Sequence, residues 1–318
     1  MASAPGIAAA ERAASAAWRD RPLRERRVPE WAWGVLLLVP AFALVAALIL
    51  YPVVYSFWLS LHNKHAYLPV QTFVGLDHFV FFLTRDFDGF WRSLWLGTIY
   101  AVGSVALQTV VGVAAALVLN ETFFGRTFVR GLLLFPYMVP IIVVVILMRW
   151  VLNDSYGVVP WLLRTVGLGA PGFFTGEMMM LTLILISTWT FFPFVLIGVL
   201  ARLQTIDPEL YAAAAIDGAG PIRRFLHVTL PQIAGVLFVL VLLRVMFMFT
   251  KFDIIWLLTG GGGVGWFVRT LPVYTFMKTF QELQVGAGAC LSVIMFLLLS
   301  GFAVLYFKIF KARAEEGQ

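Results

Sequence analysis

Long apolar runs separated by shorter polar stretches form the main pattern of this chain. Six of the runs reach about 20 residues, the length that a helix needs to cross the hydrocarbon core of a bilayer. Because backbone groups in lipid must form hydrogen bonds within their own segment, we predict that each run is a transmembrane helix and that the protein is an all-α, polytopic membrane protein. The runs lie at about residues 31–57, 93–119, 128–151, 178–202, 228–250 and 287–310.

Prolines interrupt several of these runs. Proline lacks a backbone N–H and clashes with the preceding turn, so it bends or breaks a helix. Irregular backbone is tolerated at membrane depth only where it faces protein or a cavity. We therefore predict kinks or unwound turns, facing protein or a cavity, at Pro40, Pro136, Pro140 and Pro193.

A polar stretch with helix-forming residues, at 206–231, separates the fourth and fifth runs. Asp207 suits an N-cap, and Pro208 suits the first helical position, where its missing N–H costs little. The four alanines at 212–215 favour helix. Residues that end helices follow at Gly218, Gly220 and Pro221. The sequence predicts a short helix, a sharp turn and an oblique approach to a fifth span that begins near Pro231.

Composition agrees with a membrane protein and excludes other classes. Of the 318 residues, 61% are hydrophobic and 13% charged, whereas soluble domains are about half apolar and a quarter charged. The net charge of +6 is, in this class, a statement about topology and not about nucleic acid. The single cysteine, Cys290, excludes a disulfide within the chain.

Lysine and arginine are distributed unequally between the two sides that six spans would create. The N-terminal tail, the second and fourth loops and the C-terminal segment hold 14 of them, and the other loops hold seven. Cytoplasmic segments carry the excess of positive charge. We therefore predict that both termini and the loop at 206–231 are cytoplasmic.

The stretch at 206–231 resembles the coupling loop of the permease subunits of bacterial ATP-binding-cassette importers, in the form found in sugar-type importers. Ala212 stands where that family usually has a glutamate, and Glu209 lies three residues earlier. The matching positions are Leu210, Tyr211, Ala213, Ala214, Ile216, Asp217, Gly218, Ala219, Phe225 and Val228-Thr229-Leu230-Pro231.

Two other segments resemble the same family. Residues 73–79 are similar to its first external loop, with His78 in place of the usual asparagine. Residues 252–262 are similar to its last external loop, with Gly263 where proline is usual. The resemblance covers about residues 35–310.

The resemblance implies a transmembrane permease domain at 31–310, between a basic cytoplasmic tail at 1–30 and a cytoplasmic tail at 311–318. It implies a multi-pass protein of the bacterial inner membrane that acts in carbohydrate import. The expected partners are a second permease, two ATP-binding subunits that hold ATP and Mg²⁺, and an extracytoplasmic solute-binding protein. The residues expected to couple to the ATPase are Glu209, Leu210, Tyr211, Ala213, Ala214, Asp217, Gly218 and Ala219.

The resemblance also implies a substrate pathway through the spans. The positions that match sugar contacts in the family are Tyr137, Ile141, Ser187, Thr190, Phe191, Arg244, Met248 and Lys251. Arg244 and Lys251 are seven residues apart, so on an ideal helix they share a face, while Asp253 points elsewhere. With no acid between them, the two cations should repel each other. One interpretation is that Arg244 pairs with the partner permease and Lys251 reaches the outer surface. The other is that both cations meet an anionic carbohydrate, such as a sugar acid or a phosphorylated polyol.

Several kinds of chemistry are not legible in the sequence. It contains no G-x-x-x-x-G-K-[ST] phosphate loop, so we expect no ATP site, no cofactor and no enzymatic activity in this chain. His62 and His65 have no nearby cysteine or carboxylate that would indicate a metal site. For Gln108 and Thr188 we expect hydrogen bonds between helices. A channel or secondary transporter that works without an ATPase is the alternative class, and it would leave the coupling motif unexplained.

Overall fold

A computed structural model describes residues 30–316, except 170, 177 and 262–264. The tail at 1–29, with Gly262 and Gly263 of the last external motif, therefore lies outside the described residues. The chain divides into two units, one ending at Tyr55 and the other beginning at Ser56.

The described residues form helices and one two-stranded sheet. In chain order the elements are α1 (Glu30–Val45), α2 (Tyr51–Ser60), β1 (His62–Lys64), β2 (Gln71–Phe73), α3 (Asp77–Thr84), α4 (Arg92–Asn120), α5 (Arg126–Met138), α6 (Ile141–Val151), α7 (Val158–Thr165), α8 (Met178–Leu203), α9 (Pro208–Ile216), α10 (Pro221–Arg224), α11 (Leu230–Phe249), α12 (Asp253–Leu258), α13 (Gly265–Val268), α14 (Leu271–Phe276) and α15 (Val285–Glu316). Four π-helical turns join some of them, at Ala46–Leu50, Phe87–Trp91, Phe225–Thr229 and Met277–Gln281. The strands β1 and β2 are antiparallel, with His62 opposite Phe73 and Lys64 opposite Gln71.

The all-α, polytopic architecture predicted from the sequence is confirmed. Five helices in the described part of the chain are long and apolar enough to cross a membrane, and a sixth span results if one bent pair is counted as a unit. The five are Leu37–Ser60, Phe87–Asn120, Met178–Leu203, Pro221–Phe249 and Val285–Ile309. In the first unit, every side chain between 34 and 50 whose burial is described is exposed. Such an apolar surface suits lipid or a neighbouring subunit.

The third predicted span, 128–151, is broken. Helices α5 and α6 meet at an angle of 100°. Val139 is extended between them, and Pro140 precedes the first turn of α6. Because Pro140 cannot donate to the last turn of α5, the helix ends there, as the proline pattern predicted. Pro136 remains inside α5, and Pro193 remains inside α8.

The fifth span begins earlier than the sequence predicted. One continuous helix of 29 residues runs from Pro221 to Phe249, so the predicted start near Pro231 is wrong. Pro231 has no N–H for the helical ladder, and its ring crowds the carbonyl four residues before it. The π-helical turn at Phe225–Thr229, just before α11, widens the helix at this point. The helix therefore passes the proline without ending.

The core of the second unit is built around the packing of α4 against α8. Gly112 on α4 permits the approach, since a Cβ there would lie 2.7 Å from Cβ of Val195. Small residues at such crossings are how helices pack in membranes. Buried side chains of α4, α8 and α11, among them Tyr100, Leu183 and Met248, form the central cluster.

Candidate functional site

The short helix predicted after Asp207 exists, and the residues that flank it define its ends. Oδ1 of Asp207 accepts a hydrogen bond from the backbone N–H of Glu209 at 2.9 Å, and Pro208 is the first residue of α9. At the other end, the N–H of Gly218 bonds to the carbonyl of Ala215 and that of Ala219 to the carbonyl of Ala214. Gly218 has φ 71°, the left-handed conformation that this type of helix end requires.

No residue of α9 is buried against the rest of the described chain. Ile216 is 88% exposed and Leu210 is 43% exposed. A nine-residue helix without a fully buried residue has little tertiary stabilisation of its own, because short helices are marginal in water. Among the eight predicted coupling residues, those that are exposed are Glu209, Leu210, Ala213, Asp217 and Gly218.

Tyr211 turns toward its own chain instead. Its hydroxyl lies 3.1 Å from Oγ1 of Thr229, in the π-helical turn before α11. It also lines a cavity of about 590 Å³ behind α9, together with Glu121 and Arg224. Ala214 and Ala219 are partly buried. The eight residues therefore do not form one face.

A second cavity, of about 470 Å³, lies at the far end of α11. It brings together five of the residues predicted to form a substrate pathway, namely Tyr137, Phe191, Arg244, Met248 and Lys251. Asp253 and Phe252 also line it. Whether these residues contact a substrate stays a prediction.

Ser187 and Thr190 do not line this cavity. Both are buried in the packing of α8, where Ser187 Oγ lies 2.6 Å from the hydroxyl of Tyr100 and Thr190 donates to the carbonyl of Ile186. Thr188 likewise donates to the carbonyl of Ile184 within its own helix, so the expected bond between helices is wrong for this residue. A hydroxyl on a buried helix face commonly satisfies itself in this way.

Arg244 is the charged residue at the centre of the site. It is 4% exposed, and its guanidinium carbon lies 4.9 Å from the ring centroid of Phe191 and 5.5 Å from that of Phe194. On insertion scales an arginine at the centre of a spanning helix costs about 2.5–3.5 kcal/mol, and stacking on aromatic rings returns about 0.5–2 kcal/mol for each contact. The ring contacts therefore offset part of the cost of placing this charge in the membrane.

Gln108, on α4, connects Arg244 on α11 to Ser187 on α8 through hydrogen bonds. Its Oε1 accepts from Nε of Arg244 at 2.8 Å, and its Nε2 donates to the carbonyl of Ser187 at 3.3 Å. The bond between helices expected for Gln108 is thus confirmed. An amide of the same chain thus accepts from the guanidinium, whereas the first interpretation paired Arg244 with the partner permease. Among the described residues, Nη2 of Arg244 has no hydrogen-bond partner, although it is buried.

The expectation that Arg244 and Lys251 form an uncompensated pair of cations is wrong. Helix α11 ends at Phe249, so Lys251 and Asp253 leave the ideal helical geometry. Nζ of Lys251 lies 3.1 Å from Oδ2 of Asp253, and the same ammonium lies 4.8 Å from the ring centroid of Phe191. Asp253 also accepts from the N–H of Ile254 through Oδ1. The carboxylate therefore neutralises the lysine, and the lysine does not simply extend to solvent.

Sequence reasoning missed a polar cluster around Asp86, at the start of the span Phe87–Asn120. Asp86 accepts from the backbone N–H groups of Gly89 and Phe90, both at 3.1 Å, and from the hydroxyl of Tyr274 at 2.6 Å. The guanidinium of Arg269 lies 4.9 Å from the Tyr274 ring. Burial, followed by the bond to Asp86, raises the pKa of Tyr274, so the hydroxyl keeps its proton and donates. The structure shows Asp86 as the N-cap of Phe87–Trp91, and aspartate is a preferred residue at such positions, so this local preference could have pointed to it.

Most of the chain matches known proteins. A family model described as "Binding-protein-dependent transport system inner membrane component" matches residues 108–315. The trehalose/maltose transport system permease protein MalF of Thermococcus litoralis is 33% identical over 284 residues, covering 89% of this chain and 95% of that protein. The sulfoquinovosyl glycerol transport system permease protein SmoG of Agrobacterium fabrum is 32% identical over 304 residues, covering 91% and 96%.

The fold matches solved structures as well. A chain in the crystal structure of a bacterial ABC transporter involved in the import of the acidic polysaccharide alginate has a TM-score of 0.75 at 22% identity, covering 88% of this chain and 94% of that chain. A chain in the crystal structure of a bacterial alginate ABC transporter, in complex with alginate pentasaccharide-bound periplasmic protein, matches at the same TM-score and identity, covering 87% and 92%. At this identity the likeness establishes the fold alone.

Proposed function

Since the chain belongs to the family of binding-protein-dependent transport system inner membrane components, we propose that it is one of the two transmembrane subunits of an ATP-driven carbohydrate importer. Relatives that are 31–33% identical over most of the chain are described as permeases for trehalose/maltose and for trehalose, which supports a carbohydrate as the substrate. A second permease would complete the translocation pathway. The mechanism is alternating access, driven by ATP in separate subunits.

The exposed helix α9 is the observation that carries this proposal. Asp207 and Gly218 fix its two ends, while its apolar side chains at Leu210 and Ile216 stay uncovered by their own chain. A capped helix whose apolar side chains stay largely uncovered is stabilised when it seats in a groove of another protein. We assign that groove to an ATP-binding subunit.

Two observations support the proposed partners: this sequence has no phosphate loop, and a solved transporter of similar fold was crystallised with a periplasmic protein. Because the loop is absent from this chain, ATP and Mg²⁺ would be held by two ATPase subunits beneath the permease pair. The alginate transporter was crystallised with a periplasmic protein, which supports an extracytoplasmic solute-binding protein as a further partner here. The charge asymmetry of the loops supports a cytoplasmic position for both termini and for α9.

The substrate pathway would run through the cavity of about 470 Å³ that Tyr137, Phe191, Arg244, Met248 and Lys251 line. A second candidate substrate, an anionic sugar derivative or phosphorylated polyol, is favoured by the buried nitrogen of Arg244 that has no partner in the described chain. The relative described as a permease for sulfoquinovosyl glycerol supports the same candidate.

Copurification tests the proposed function. The tagged chain, taken from membranes of its host in mild detergent, should carry Mg²⁺-dependent ATPase activity. The variant Ile216→Asp places a charge on the open face of α9 and should lose that activity while the subunit stays inserted. Leu168→Asp is the matched control, because Leu168 is an apolar side chain 74% exposed outside α9 and should retain the activity. A channel or secondary transporter would transport without any ATPase, and that result would overturn the proposal.

A further inference from the structure

The guanidinium of Arg244 is held on two sides, and one of its nitrogens has no hydrogen-bond partner in the described part of the chain. Its Nε is bonded to Gln108, and the rings of Phe191 and Phe194 lie within 5.5 Å of its central carbon. These contacts fix the plane of the group. Its Nη2 has zero or nearly zero exposure and no acceptor in the part of the chain that the structure describes, and the residue borders the cavity at the end of α11.

Gln108 is itself held in place. It is fully buried on α4, and its amide nitrogen donates to the carbonyl of Ser187 and lies 3.5 Å from the sulfur of Met248. This leaves its Oε1 directed at Arg244. Because Oε1 accepts from Nε, the guanidinium cannot turn that edge toward the cavity. The donors that remain for a ligand are on the terminal nitrogens, and one of these, Nη2, has no acceptor in the described part of the chain.

We propose that Arg244 recognises one oxyanion on the transported carbohydrate, a carboxylate or a sulfonate, and that Gln108 is the positioning residue that presents it. This inference rests on the proposed function, because it assigns a substrate class to the same cavity. A guanidinium suits such groups, since its planar N–H donors match two oxygens of one anion. A neutral sugar would leave the charge of Arg244 uncompensated.

The charged residues that line the cavity indicate how many negative charges a matching ligand would carry. Among the described residues that line it, the ionised side chains at neutral pH are Arg244, Lys251 and Asp253. Lys251 and Asp253 neutralise each other across 3.1 Å. One positive charge therefore remains, and it matches a monoanion. A phosphate monoester, which carries nearly two charges at neutral pH, fits less well.

The chain offers a matched comparison site. Arg202 on α8 also bonds to a glutamine of the fifth span, since its Nε donates to the carbonyl of Gln232 and its Nη2 to Oε1 of the same residue. Its Nη1 donates to Thr205. All three nitrogens are thus occupied, and Arg202 does not line the cavity. The same substitution at Gln108 and at Gln232 therefore separates anion recognition from general effects on stability.

The test uses the purified complex of this chain with its partner permease and ATPase in lipid nanodiscs. Its melting temperature is measured with glucuronate, sulfoquinovose and the methyl glycosides of both, each against the corresponding glucose compound. For the wild type, the anionic probes should raise the melting temperature, and the glucose compounds should not. Gln108→Glu places a carboxylate beside Arg244 without changing the volume, so it should weaken the apparent affinity for the anionic probes at least about tenfold. Arg244→Met should abolish the effect, and Gln232→Glu should preserve it.

Each result decides one question. If no anionic probe stabilises the wild-type complex, or if glucose compounds do so equally, the anion assignment is wrong. If Gln108→Glu and Gln232→Glu weaken the response equally, Gln108 does not position Arg244. If the ATPase fails to copurify with the wild-type chain, the proposed function itself fails, and this is seen before any probe is added.

Discussion

The hydroxyl of Tyr211 lies 3.1 Å from Oγ1 of Thr229, and it links the otherwise exposed helix α9 to the N-terminal part of the fifth span. Both side chains come from segments that the sequence pattern separates by a turn. The bond therefore joins the proposed ATPase contact to the helix that carries Arg244.

Removing this bond should weaken coupling without removing the ATPase. In Tyr211→Phe the ring stays in its cavity, and a hydrogen bond of about 1 kcal/mol is lost, which corresponds to about a fivefold change in an equilibrium. We expect the ATPase to copurify and its stimulation by ligand-loaded binding protein to fall several-fold. Thr229→Val should give the same loss, and the double variant should be no worse than either single variant. Additive losses would contradict this role of the bond.

Gly218 should tolerate asparagine better than leucine. Its φ of 71° suits glycine and, less well, asparagine, while a Cβ there would meet no atom within 4 Å in this chain. Gly218→Leu should therefore insert normally yet block transport, through backbone strain of about 1 kcal/mol or more and a bulky group on the docking side. Uptake measurements check this, with Gly218→Asn as the milder control. Normal uptake by Gly218→Leu would refute a docking role for this turn.

Ala212 should accept the glutamate that the family usually has. The position is exposed in α9, and glutamate is a good helix former. We expect Ala212→Glu to keep full transport activity and to bind the ATPase at least as tightly as the wild type. A dissociation measurement in detergent checks this, and weaker binding would contradict the expectation.

Reporter fusions test the orientation. Fusions after Gln318 and within 203–225 should report the cytoplasm, and a fusion near Gly169 should report the outside, because positive residues are concentrated on the first side. A cytoplasmic signal at Gly169 would refute the six-span topology.

The cluster around Asp86 should contribute to stability. Tyr274→Phe removes one bond to a carboxylate, worth about 1.5–3 kcal/mol, and Asp86→Ala should cost more because it also leaves two backbone N–H groups without their acceptor. The melting temperature of the purified complex measures both. The pKa of Tyr274 is raised on folding, so its bond is present below the ordinary tyrosine pKa of about 10 and is lost only above it. The difference between wild type and Tyr274→Phe should therefore stay constant from about pH 6 to pH 9; a decline within this range would contradict the assignment.

The sequence predicted the helices well because lipid imposes one solution on long apolar runs. It also predicted the caps of α9, since Asp207, Pro208 and Gly218 act through local backbone geometry that any context preserves. The place of Tyr211 was not predictable in the same way. Its bond to Thr229 depends on how α9 folds back on a helix that begins ten residues earlier than the pattern indicated.

The candidate site was predicted only in part, because some of its contacts depend on where a helix ends or join distant parts of the chain. Helical periodicity placed Arg244 and Lys251 on one face, but it could not show that α11 ends at Phe249. Beyond that end, Lys251 lies beside Asp253 and forms an ion pair with it. This pair replaces the repulsion expected between Lys251 and Arg244. Gln108 lies 136 positions from Arg244 in the chain, and no local pattern indicates so distant a contact.

The continuous helix from Pro221 to Phe249 would let a movement near its first residues displace its far end. At 1.5 Å per residue, about 22 Å of rigid rod separates Thr229 from Arg244. The π-helical turn at Phe225–Thr229 widens the helix at the start of that rod. A tilt of about 10° there, driven from Tyr211, carries the guanidinium sideways by about 4 Å, more than the length of a hydrogen bond. In the proposed importer, a small movement at the ATPase would therefore be enough to release a ligand bound at the cavity.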